Sequence, residues 1–229
     1  MTRLVNQALE KKSRRTKPRL SSRQALIMTE TSYLAATSAL IWIGLYYFPI
    51  GGAFFRLALP LPLALLQVRR GSMAGLEGVA LSVLLLTALM GPVRGPLILF
   101  PYGFLSLWLG WSWSKGLNWW ISGGFGVVVG VLGFLIRVFA LSLLVGENLW
   151  VVITTAASSL LDKLLDLFNI PIFPELIHVQ LIAISLVVVQ EVVYLLVLHA
   201  LAFWIFPKLK ASIPEPPSTL NALVALDPL

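Results

Sequence analysis

Two ionisable residues stand where hydrocarbon would be expected around them. Arg137 lies in the run Gly133-Phe134-Leu135-Ile136-Arg137-Val138-Phe139, and Glu191 in Val189-Gln190-Glu191-Val192. A lone charge at the centre of a bilayer-spanning helix costs a few kcal/mol or more, roughly 2.5–3.5 on insertion scales, so each needs a partner or a watery cavity. They are opposite in sign and fall on the last two apolar runs. The pairing has two readings: a group that handles a substrate or a proton, or an ion pair that fixes two helices. Arg56 and Arg94 sit beside proline- and glycine-rich joints, Pro49-Ile50-Gly51-Gly52, Pro60-Leu61-Pro62 and Gly91-Pro92-Val93-Arg94-Gly95-Pro96. Broken backbone at membrane depth is tolerated only where protein or a cavity satisfies its polar groups, and transporters place binding sites at such breaks. The candidate ligand site is therefore Gly51, Arg56, Pro62, Arg94, Arg137 and Glu191, opening outward, with an anionic ligand conceivable.

Other chemistry is thinly represented. The chain has no cysteine and two histidines, His178 and His199, too far apart in sequence to form a local metal motif. No phosphate-cradling loop or nucleophile elbow occurs, and no catalytic constellation, cofactor or metal site is expected. His199, at the end of an apolar run, reads as a hydrogen-bonded structural residue.

The elements that must position these residues are long apolar helices. The 229 residues are 58% hydrophobic and 12% charged, about half the usual charged share. The apolar residues come in blocks, as bilayer-spanning helices require. We expect an all-α polytopic bundle of about six spans: 33–48, 57–68 (short, with two prolines), 73–90, 97–113, 119–145 and one within 176–206. Residues 1–30 form a basic tail, 31–210 the transmembrane domain, and 211–229 a proline-rich disordered tail. The segment 148–169 carries Asp162, Lys163 and Asp166, which favours an amphipathic helix on the interface over a seventh span. The Arg14-Arg15 pair lacks the hydrophobic residues that follow it in a twin-arginine signal.

Charge orients the bundle. With an inside N-terminus, thirteen of the seventeen Lys and Arg fall on inside segments, eight of them in the first thirty residues, and three on outside ones. The positive-inside rule then puts both termini in the cytoplasm or stroma. The net charge of +7 accordingly suggests lipid head groups as partners, not nucleic acid. Trp108, Trp111, Trp113, Trp119 and Trp120 bracket Lys115 and read as interfacial anchors. Small residues recur at Gly126 and Gly130, a spacing that permits close helix contact.

The stretch from Phe55 to Gly71, FRLALPLPLALLQVRRG, together with Phe100-Pro101-Tyr102-Gly103-Phe104 and Leu109-Gly110-Trp111, resembles the YybS-like family of bacterial membrane proteins in its cyanobacterial and plastid form. That family is similar in turn to the substrate-binding components of energy-coupling-factor vitamin transporters. The resemblance, covering about residues 30–210, implies six helices with both termini inside, a bacterial plasma or thylakoid membrane location, and coupling and ATPase partner subunits. It also implies that Ala35 and Ala39, which match an alanine-x-x-x-alanine spacing, face a coupling subunit. No residue set points to a particular vitamin. The expected function is a small-molecule-binding or transport component working with partners. The alternative is a structural or assembly factor within a larger membrane complex.

Overall fold

A computed structural model describes residues 21–48, 51–167 and 175–220; Pro49, Ile50, Phe168, Asn169 and most of the basic tail lie outside these. The described chain is helical: α1 (Ser22–Tyr47), α2 (Gly52–Ala58), α3 (Leu61–Arg70), α4 (Ser72–Met90), α5 (Tyr102–Ser114), α6 (Trp119–Val145), α7 (Leu149–Leu167) and α8 (Leu176–Ile205), with 3-10 turns at Pro96–Leu99 and Pro207–Leu209. Four of these, α1, α4, α6 and α8, are long and apolar enough to cross a membrane. The expected spans at 57–68 and 97–113 are shorter helices interrupted near Pro60 and Pro101. The helix α7 is not among the four.

The first helix begins earlier than expected. Ser21 accepts from the Gln24 backbone N–H while the Gln24 side chain accepts from the Ser21 N–H, a reciprocal cap that satisfies two donors at the helix start. Residues 22–30 are thus helical and continuous with α1, with most of their side chains exposed. On α1, Ala35, Ser38, Ala39 and Trp42 are buried, a spacing of three and four that marks one helix face.

At the centre of the bundle is α3, the shortest segment expected to span. Six consecutive residues, Pro62 to Gln67, are buried, so the helix is enclosed on all sides by α1, α4 and α5. Close approach depends on small neighbours. A Cβ on Gly110 of α5 would lie 3.0 Å from the Ala64 carbonyl oxygen and 2.8 Å from Gln67 Cβ, so a side chain there would push the helices apart.

Polarity is distributed as a bilayer demands. The interior holds Ser38, Ser82, Ser106, Ser112, Ser122, Glu191 and His199, all buried, and each of these makes a hydrogen bond inside the protein. The outer faces of α6 and α8 instead show Leu132, Leu135, Phe139, Leu143, Leu186 and Val193. An apolar surface this extensive is foreign to a water-soluble monomer and suits a lipid surround.

Beyond α8 the chain stays on the bundle. The Ala211 N–H donates to the Phe206 carbonyl, and Trp119 Nε1 donates to the Pro214 carbonyl at 2.8 Å. This is a correction to the disordered tail expected from 211; residues 221–229 lie outside the description.

Candidate functional site

The site starts from a missing hydrogen. Pro60 has no N–H to offer the Arg56 carbonyl four residues before it, so a helix running from α2 into α3 must leave that oxygen open. The Tyr194 hydroxyl of α8 donates to it at 3.1 Å. The Leu59 carbonyl beside the break accepts from the buried Ser38 hydroxyl of α1, also at 3.1 Å. Two side chains from flanking helices thus satisfy the interrupted backbone, as burial requires.

The same break aims Arg56 inward. Its Nη2 lies 2.9 Å from Glu191 Oε1, and its guanidinium sits 5.4 Å from the Tyr194 ring centre. With the Gln190 amide turned so that its oxygen faces the guanidinium, that oxygen accepts from both Nη1 and Nη2. Glu191 is 1% exposed and Arg56 30% exposed, so the carboxylate is the buried member. It stands at the middle of α8, against Gly130 of α6: a Cβ at Gly130 would fall 2.5 Å from Glu191 Oε2. The Gly126–Gly130 spacing is thus used within the chain, where Gly126 receives Leu195 and Gly130 receives Glu191. Neither Glu191 Oε2 nor Arg56 Nε has a hydrogen-bond partner among the described residues.

Arg137 is not the ion-pair partner of Glu191. Among the described residues it makes no ion pair, and its guanidinium lies 5.3 Å from the ring centre of the buried Trp42. The two do share a cavity of about 180 Å³, bounded by Arg56, Tyr102, Phe134, Arg137, Leu141 and Glu191. Seven residues separate Gly130 from Arg137, placing Arg137 about 10 Å along α6 from the Glu191 level.

The other expected members are elsewhere. Gly51 is an exposed left-handed cap of α2 with φ 93°. Pro62 is buried in α3 and borders a lateral groove with Tyr33, Ile41 and Phe206. Arg94 is exposed in the turn after α4, 5.8 Å from the Tyr46 ring centre. The single concave site expected from Gly51 to Glu191 therefore reduces to Arg56, Arg137 and Glu191. Ala35 and Ala39 do not face outward: they are 0% and 3% exposed, and Ser82 of α4 donates to the Ala35 carbonyl. Their small size serves the contact between α1 and α4.

Sequence reasoning did not single out Tyr194 or Tyr102 for the site. A signal for Tyr194 existed, since a proline inside a span frees one nameable carbonyl and a buried hydroxyl must answer it. His199 behaves as a structural residue. Nδ1 lies 2.8 Å from the Leu195 carbonyl, which can only accept, so Nε2 is left to accept from the Ser122 hydroxyl at 2.8 Å. Trp113 and Trp119 pack against this imidazole, with ring centres 5.3 and 5.2 Å away, and are buried. These two tryptophans are core residues and not the interfacial anchors expected.

A family model described as predicted membrane protein (DUF2232) matches residues 35–221. The chain belongs to this family. The match takes in every residue of the charged cluster, and the description agrees with a helical bundle whose outer faces are apolar. No curated protein and no solved structure matches the chain.

Proposed function

We propose that this member of the DUF2232 family is a non-enzymatic membrane component that binds a small solute and takes part in its transport with partner subunits. The observation that carries this reading is the Arg56–Glu191 pair, held at mid-bundle by a helix broken at Pro60. An intramembrane charge pair at a discontinuous helix is the arrangement through which transporters commonly meet their solutes. In this reading α2 with α3, and the turn at Pro96–Leu99 with α5, each make one interrupted crossing. Added to α1, α4, α6 and α8 they give six spans with both termini inside, in a bacterial plasma or thylakoid membrane.

Size argues against a vitamin. Sites for drug-sized molecules run to about 300–1,000 Å³, and the cavity beside Arg56 is near 180 Å³. With Ala35 and Ala39 buried, a coupling subunit would have to dock on another surface.

Purification in mild detergent tests the proposal. Co-purification of ATPase or coupling subunits, or of a bound small solute, is the expected result. A stable large assembly with neither would favour the structural or assembly role. Reporter fusions at Lys12 and Lys210 should both report inside, and a split result would contradict the six-span arrangement.

A further inference from the structure

We infer that the cavity between α2, α5, α6 and α8 binds a small monovalent anion, with Arg56 and Arg137 as its cationic walls. The inference rests on the reading of Arg56, Arg137 and Glu191 as the solute site, and it names the solute class.

Charge balance is the first argument. Two guanidiniums and one carboxylate border the same cavity. Arginine does not lose its proton in a protein, so the cluster is positive whether Glu191 is ionised or protonated. Among the described residues no second carboxylate pairs with either arginine: Glu30 is engaged at the far ends of α1 and α3, and the remaining ion pairs are all its own. An uncompensated charge in the interior of a bundle is costly, and an anion removes that cost where a neutral solute would not.

Donor supply is the second. Glu191 and Gln190 occupy the Nη atoms of Arg56, while its Nε is buried without a partner. The ring of Trp42 takes one face of Arg137 and leaves its in-plane N–H donors uncommitted to any carboxylate. In-plane guanidinium donors are suited to halide and planar oxyanion acceptors.

Volume sets the size. About 180 Å³ is the space of a few waters at about 30 Å³ each. Chloride or nitrate fits with part of its hydration retained, and a sugar acid does not. One excess positive charge, with Glu191 ionised, matches one negative charge.

The test is thermal unfolding of the full chain in detergent, with chloride, nitrate or sulfate titrated separately into gluconate buffer at constant ionic strength. The expected result is a saturable rise of about 2–5 °C for the native protein. The rise should be absent in Arg137→Gln, reduced but present in Arg137→Lys, and intact in Arg94→Gln, whose arginine lies outside the cavity. If Arg137→Gln does not fold, the comparison of Arg137→Lys with native protein carries the test. Equal melting in chloride and gluconate, an undiminished rise in both Arg137 variants, or an anion-specific rise confined to sulfate would overturn the assignment. Failure here, with ATPase subunits or an organic solute still co-purifying, would leave the transport reading standing and remove only the anion.

Discussion

The molecule contains two clusters of the same composition, one glutamate with two arginines, at very different depths. At the end of the bundle Glu30 of α1 meets Arg69 at 3.2 Å and Arg70 at 2.6 Å, with both carboxylate oxygens used and all three side chains 19–29% exposed. At mid-bundle Glu191 meets only Arg56, keeps one oxygen unpartnered, and leaves Arg137 without an anion among the described residues. The two clusters differ in their carboxylates: Glu30 keeps 19% of its side chain exposed and has both oxygens engaged, whereas Glu191 is 1% exposed with one oxygen unpartnered. Partial exposure lets the surroundings screen Glu30, while Glu191 depends on what the protein places beside it. The same side-chain types thus fasten two helix ends in one place, and in the other they border the cavity to which the proposed function is assigned.

The contrast predicts a graded series of mutational effects in detergent melts. Glu191→Leu should be the most damaging, costing about 3 kcal/mol, since it removes the buried carboxylate that Arg56 pairs with. Gly130→Ala comes next, at about 1–2 kcal/mol, because the new methyl group displaces the Glu191 carboxylate; Gly124→Ala, with open space around it, should be neutral or slightly stabilising. Tyr194→Phe should cost about 1 kcal/mol by leaving the Arg56 carbonyl unanswered at the Pro60 break. Glu30→Gln should have the smallest effect, one that disappears as salt is added. A Glu30 variant as damaging as Glu191→Leu would erase the distinction between the two clusters.

Much of the scaffold was legible in the chain. The limits of α6 and α8 follow from where apolar runs stop, and the cap at Ser21 and Gln24 was a readable signal for the earlier start of α1. The site was only partly legible. Arg137 and Glu191 declare themselves as charges within apolar runs, but Arg56 follows Gly51 and Gly52 and reads as a loop residue at a cavity mouth. Only the packing of α2 against α8 turns it into the partner of Glu191. Periodicity could not place that contact, because α2 is a single short helix whose direction is set by Pro60. Ala35 and Ala39 failed for the opposite reason: a small-residue spacing reports close helix contact without saying whose helix, and α4 of the same chain supplies it.

The central claim is that Arg56 and Glu191 are coupled across the broken helix, with Arg137 beside the pair and not part of it. A double-mutant cycle on thermal stability in detergent tests this directly, using Arg56→Met, Glu191→Leu and both together, with Arg137→Met and Glu191→Leu as the parallel cycle. The account predicts that the Arg56–Glu191 double variant is more stable than Glu191→Leu alone, with a coupling of about 1–3 kcal/mol, larger than that of the parallel cycle. Additive effects for Arg56 and Glu191, or a larger coupling for Arg137 and Glu191, would contradict it.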